Sequence, residues 1–258
     1  SYVITGASRG IGLEFVRQLS ANSENKVFAL VRNKATAIKL KNLARNNITI
    51  LEADVTDGKA LQLAAAEVSK ATDNKLDYLI NNAGSSTDPG LTLDQLPSKM
   101  IYVVENFKTN AISVVHSTNA FLPLLKNGSA KKVLTVSSGL GDLDLTLTWG
   151  ITSRAGYSIA KAALNLVVAK YAAQYKAEGF VFISISPGSV GTSADATSER
   201  TVAENTSLFK AITTNLPNFK GRITPEESVR LQLELLNRWT VEETGAFVSQ
   251  HGNKQWAD

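Results

Sequence analysis

The chain has 258 residues, of which 43% are apolar and 19% charged, enough to bury one sizeable core and too apolar for intrinsic disorder. It contains no cysteine and only two histidines, His116 and His251, which excludes disulfides, thiolate-held metal and a histidine-rich metal centre, so no metal is expected. The net charge of +4 is spread along the chain, which argues against nucleic-acid binding and suits an anionic, phosphate-bearing ligand.

The apolar run Tyr2 to Thr5 leads straight into a glycine turn, and no basic-then-apolar leader or run long enough to span a membrane is found, so a cytoplasmic protein without membrane contact is expected. Helical spacing follows from Ile11 to Leu19, with Leu13, Phe15, Val16 and Leu19 apolar. Strand, turn and helix then repeat: a strand at Val27 to Val31, a helix at Ala35 to Ala44, a strand at Ile48 to Leu51 and an alanine-rich helix at Gly58 to Ala71, which Asp57 is suited to cap. Further strands are predicted at Tyr78 to Ile80, Val133 to Val136 and Val181 to Ile185, with a weaker one at Gly245 to Val248. Two long helical stretches, Ser98 to Leu125 and Arg154 to Lys176, have the length of crossover connections.

Continuous apolar strands alternating with helices predict an α/β fold: one doubly wound, Rossmann-like parallel sheet of about seven strands with helices on both faces, forming a single domain over 1–258. Two segments break the alternation, Gly139 to Ser153 and Thr192 to Arg222. Both leave from the carboxyl ends of strands, where open α/β sheets bind ligands, and are expected to wall a substrate pocket.

The first turn carries Gly6, Gly10 and Gly12 between strand and helix, where glycine lets the backbone turn tightly and approach a pyrophosphate at the helix N-terminus. Asn81, Asn82, Ala83 and Gly84 stand after the fourth strand, Asn110 lies in the first long helical stretch, and Ser137 and Ser138 end the fifth strand. Tyr157 and Lys161 open the second long helix, and Pro187 and Gly188, with Val190 and Thr192, follow the sixth strand. In this order and spacing the motifs resemble the short-chain dehydrogenase/reductase family, over roughly Tyr2 to Thr192. Within the family the pattern is similar to small NADPH-dependent carbonyl or keto reductases of fungal and insect type.

Tyr157 and Lys161 are four residues apart, one helical turn on a shared face. A free phenol titrates near pH 10, and an ammonium ~4 Å away at an effective dielectric near 20 supplies about 4 kcal/mol, enough to lower that by roughly 3 units. The resemblance implies that Tyr157 is the acid/base, that Ser138 rather than Ser137 orients the substrate oxygen, and that Asn110 holds a water joining Lys161 to solvent. It also implies cofactor contacts from Gly6, Ser8, Arg9, Gly10, Ile11 and Gly12, from Asp54 and Val55 at the adenine, and from Asn82, Ala83 and Gly84. Tyr157, Lys161, Pro187, Gly188, Val190 and Thr192 complete that set.

At the end of the second strand, where a carboxylate would accept the ribose hydroxyls of NAD, the chain has Val31 followed by Arg32. With Arg9 in the glycine turn, two guanidiniums are available to a ribose phosphate, so NADP(H) is the expected cofactor. The segment between Ser138 and Tyr157 is longer than the family pattern; Leu147 and Trp149 within it either line an apolar pocket or anchor the loop. The expected activity is reduction of a ketone or aldehyde to an alcohol. The alternatives are an NAD-dependent alcohol or polyol dehydrogenase and, in another class, a non-catalytic nucleotide-sensing protein on the same fold. The resemblance also permits a homodimer or homotetramer built through the two long helices.

Overall fold

A computed structural model describes residues 1–85, 90–192 and 208–256. Its strands are β1 (Tyr2–Thr5), β2 (Val27–Val31), β3 (Ile48–Glu52), β4 (Tyr78–Asn81), β5 (Lys132–Val136), β6 (Val181–Ser186) and β7 (Phe247–Ser249). They form one 7-stranded parallel sheet in the order β3-β2-β1-β4-β5-β6-β7. The helices are α1 (Gly10–Leu19), α2 (Ile38–Lys41), α3 (Gly58–Thr72), α4 (Met100–Phe107), α5 (Ser113–Asn127), α6 (Leu143–Trp149), α7 (Ala155–Tyr175) and α8 (Pro225–Arg238), and 208–215 is also helical.

Successive strand residues alternate between two cores. Val3, Leu30, Leu79, Val133 and Phe182 pack against Leu61 and Val68 of α3, Phe121 of α5 and Leu164 of α7. Ile4, Ala29, Ile80, Leu134 and Ile183 pack against Phe15 of α1, Leu40 of α2 and Val229 of α8. With both faces covered, the strands have no polar side, which is why they read as unbroken apolar runs. The doubly wound α/β sheet expected from the sequence is therefore the architecture present. The strand order reverses between β1 and β4, which opens a crevice at their carboxyl ends.

Three local expectations need correction. The helix expected over Ala35 to Ala44 is a single turn, Ile38–Lys41. Before it, Asn33 Oδ1 accepts from the Ala35 N–H and Glu52 from the Lys34 N–H, so side chains hold the backbone in a turn; behind it Ala44 takes a φ of 48°. The long stretch from Ser98 is not one helix: a 3-10 turn (Pro97–Lys99) and α4 lead to a π turn, Lys108–Ile112, before α5 resumes. Inside that turn the Asn110 side chain donates to Asn106 O at 2.9 Å, a backbone-directed bond that an apolar residue would not make.

The segment 139–153, left without an element by the sequence, contains a 3-10 turn (Gly139–Gly141) and α6. Asp142 caps α6 by accepting from Leu145 N at 2.8 Å, and Gly150 ends it at φ 61°. Its Leu-Asp-Leu-Thr-Leu-Thr alternation has the period of a strand, which hid a helix of two turns. Of the second expected pocket segment, residues 193–207 lie outside the described residues. Among the described residues no helix is long and apolar enough to cross a membrane.

Candidate active site

The base of the crevice between β1 and β4 is bridged by Thr5, which directly precedes the glycine turn and to which the sequence assigned no role of its own. Its hydroxyl accepts from the N–H groups of Asn82 and Ala83, each at 3.0 Å, tying the end of β4 to the glycine turn. The Asn82 amide donates to Thr5 O and Gly6 O at 2.9 and 3.2 Å. Gly6, at φ 67°, passes so close to β4 that a Cβ there would lie 2.8 Å from Ala83 Cα, and a Cβ on Gly12 would overlap Gly6 O and the Asn82 amide. Only glycine permits this approach.

At the start of α1 the capping residue is Arg9, whose side chain accepts nothing, so the first-turn N–H groups around Gly10, Ile11 and Gly12 have no side-chain cap. Helices α3, α6 and α8 are each capped by Asp57, Asp142 or Thr224. An uncapped helix start beside a glycine turn is what a dinucleotide pyrophosphate requires, and Ser8 lies half-buried in that turn. The residues present thus fit such a cofactor. Arg9 and Arg32 are exposed while Val31 is buried at 2%.

Asp54 follows β3 and takes both the N–H and the hydroxyl of Thr56 on one oxygen at 2.8 Å. Partial burial works to raise its pKa, but those bonds and the Arg32 and Lys108 charges prevail and hold the carboxyl below its usual range. Val55 beside it is buried, and the α3 cap falls to Asp57, as its sequence position suggested. After β6, Pro187 O accepts from Ser228 Oγ at 2.6 Å and Gly188, at φ 82°, rests on Gln250. Val190 pairs with Ile223, and Thr192 approaches Gly10. The buried residues Ser228, Gln232 and Gln250 brace this loop, and no sequence motif pointed to them.

At the carboxyl end of β5, Ser137 turns away from the crevice and donates to Asn165 at 2.6 Å. Ser138 caps the Gly139–Gly141 turn through Leu140 N at 3.2 Å and is also hydrogen-bonded to the Tyr157 hydroxyl. Lys161, one turn along α7 and 4% exposed, donates to Val136 O at 2.9 Å. Its Nζ lies 5.7 Å from the centroid of the Tyr157 ring. Asn110, 1% exposed in the π turn, exchanges bonds with the Ser85 backbone at 2.8 and 3.2 Å. A Cβ on Gly84 would lie 2.9 Å from Asn110 Oδ1 and 3.7 Å from Lys161 Nζ, so these three residues converge.

The electrostatics add two groups to the pair read from spacing. Burial raises the Tyr157 pKa, and the opposing influences are the Arg154 guanidinium, 5.1 Å from the ring centroid, and the Ser138 hydrogen bond. Lys161 is itself lowered to about 8 by burial. Its ammonium donates to the backbone carbonyl of Val136 and stands over the Tyr157 ring. Of the insertion residues, Trp149 packs half-buried near Leu145, Ile151 and Trp256, whereas Leu147 is 81% exposed.

A family model described as short chain dehydrogenase matches residues 1–203. The short-chain dehydrogenase/reductase atnB of Arthrinium sp is 41% identical over 267 residues, covering 99% of each chain. The short chain dehydrogenase virK of Hypocrea virens is 41% identical over 269 residues with the same coverage. Among solved structures, the NADPH-bound carbonyl reductase from chicken fatty liver superposes with a TM-score of 0.81 at 30% identity, over 98% of this chain and 97% of that one. Sniffer of D. melanogaster reaches the same TM-score at 23% identity, a likeness of fold, over 98% and 97%. With a parallel sheet reversing at β1/β4, a glycine turn opening onto that crevice and Tyr157, Lys161 and Ser138 gathered beside it, this chain belongs to the short-chain dehydrogenase/reductase family of oxidoreductases.

Proposed function

We propose that this protein reduces a ketone or aldehyde to an alcohol with NADPH, in the cytoplasm. The observation that carries the reading is the hydrogen bond between the Tyr157 and Ser138 hydroxyls, with buried Lys161 one helical turn away and the uncapped start of α1 across the crevice. When bound, the dinucleotide supplies the hydride that reaches the carbonyl carbon. The Ser138 hydroxyl donates to the carbonyl oxygen and fixes its position, and Tyr157 gives that oxygen its proton. Lys161 would hold the ribose hydroxyls of the dinucleotide, and Asn110, at the π turn, would keep Lys161 in contact with a proton path to solvent.

NADP is favoured over NAD because Val31 presents no acceptor to a free ribose while Arg32 and Arg9 stand exposed for a phosphate. The chicken carbonyl reductase, NADPH-bound in its solved structure, supports that choice. Assembly through α4 and α7 belongs to the same reading, supported by their exposed Ile101, Val104 and Leu166. The test is a spectrophotometric screen of ketones and aldehydes with NADPH and NADH in parallel, on wild type and on Val31→Asp with Arg32→Ala. Wild type is expected to favour NADPH. The double substitution should reverse the preference, since one lost charge-assisted bond of roughly 1.5–3 kcal/mol is worth about tenfold or more. Oxidation of neither dinucleotide, or an NADH preference in wild type, would overturn the proposal.

A further inference from the structure

Arg154 belongs to none of the motifs that mark the site, yet of the two cations over the Tyr157 ring it is the nearer: 5.1 Å from the centroid for its guanidinium carbon, against 5.7 Å for Lys161 Nζ. It is the capping residue of α7 and holds a left-handed backbone, φ 59° and ψ 36°. Glycine or asparagine takes that conformation with little strain, and a long side chain does not. The following N–H, that of Ala155, donates to Leu91 O at 3.0 Å, so the cap is fixed from outside its own helix. A strained backbone that delivers a charge to the face of a reacting ring is an outlier of the kind that accompanies function.

We propose that Arg154 is a positioning residue for Tyr157, its guanidinium fixing the ring face and supplying the positive charge that favours the phenolate over the phenol. The inference rests on the reading of Tyr157 as acid/base. A cation above an aromatic face stabilises the electron-rich phenolate more than the neutral ring. From its own helix Tyr157 faces Arg154 and Lys161, and from the end of β5 it meets Ser138. Glu105 of α4 and Lys108 of the π turn are the charged groups on the elements packed along this end of α7. The two cations differ in permanence. Lys161 is held near 8 by burial, so its charge fades over the range in which a tyrosine deprotonates, whereas a guanidinium stays charged throughout.

The test is the pH dependence of kcat/KM for carbonyl reduction in wild type, Arg154→Gln and Arg154→Lys, with Tyr157→Phe as control. Reduction needs the protonated phenol, so activity falls on the alkaline side as the phenol ionises. Arg154→Gln should move that limb upward by roughly half a unit to one unit, the size expected for a cation at a partly exposed ring, and Arg154→Lys should stay near wild type. The same phenol can be followed without turnover by the ultraviolet absorbance of tyrosinate, subtracting Tyr157→Phe from each parent. Arg154→Met serves if the glutamine variant melts early. An unmoved limb in the neutral variants, or a lysine variant shifted as far as glutamine, overturns the proposal. Activity retained in Tyr157→Phe would instead overturn the reading of Tyr157.

Discussion

At the scale of single residues, the site depends on groups whose ordinary properties are altered by burial. Lys161 is the sharpest case: its ammonium, normally titrating at 10.5, is lowered to about 8 by burial, being 4% exposed and donating to a backbone carbonyl. Between those values the unfolded chain binds a proton that the folded chain has released. Stability therefore rises with pH through that window, and the cost of burying the charge is carried in full below it. Urea unfolding midpoints of wild type and Lys161→Met over a pH series should show wild type gaining on the variant from about pH 8 upward. A difference independent of pH would mean that the charge is compensated by partners in the fold. Gly6 and Gly12 make the complementary point, since a missing Cβ is what allows β4 and the glycine turn to meet.

At the scale of elements, the insertion between Ser138 and Tyr157 is held by the end of the chain. Trp256, 9% exposed, packs with Leu145 and Ile151 and lies 4.7 Å from Phe247 between ring centroids. Lys254 reaches across to the cap of α6, donating to Asp142 Oδ2 at 2.5 Å. Asp142 thus caps the helix with one oxygen and binds the C-terminal strap with the other. The Gly139–Gly141 turn, which begins at Ser138, lies directly beneath: a Cβ on Gly139 would be 3.3 Å from Trp256 Cβ. Trp256→Ala should cost about 3 kcal/mol of stability, as large-to-small changes in packed clusters do. It should also lower kcat more than it weakens cofactor binding, because it loosens the turn that carries Ser138 and leaves the β1/β4 crevice intact. Thermal melts together with separate kcat and dinucleotide Kd values check both parts. Equal losses in kcat and Kd would show that the strap supports the whole site rather than the serine turn.

At the scale of the whole molecule, α4 and α7 pack against each other and leave apolar side chains in solvent: Met100 at 52%, Ile101 at 61% and Val104 at 55% on the first, Leu166 at 62% on the second. Several large apolar side chains exposed on two packed helices favour association. The expected outcome is a dimer or tetramer by sedimentation velocity, converted to monomer by Ile101→Glu with Leu166→Glu, since burying an unpaired carboxylate in an interface is unfavourable. A monomeric wild type would refute assembly through these helices. The crevice is built from residues distant in sequence, Thr5 with Asn82 and Ser228 with Pro187.

The sequence by itself determined the order of the strands, the parallel sheet and the family, because apolar period and glycine or turn chemistry are local properties of the chain. Gly6, Gly12, Ser138, Tyr157 and Lys161 were legible for the same reason: each sits in a short motif with a fixed spacing. Only the tertiary structure decided the rest. The π turn at Asn110, the helix hidden in the alternation of Leu143–Trp149 and the single turn left of the expected second helix were each set by side-chain bonds to backbone, against local propensity. Arg154, Ser228, Gln232 and Gln250 matter through partners that folding brings to them, and no spacing encodes such a partner. Helical spacing places Lys161 one turn from Tyr157, but burial and a backbone carbonyl, both set by the packing of α7 on β5, decide where its ammonium is held and over what range it stays charged.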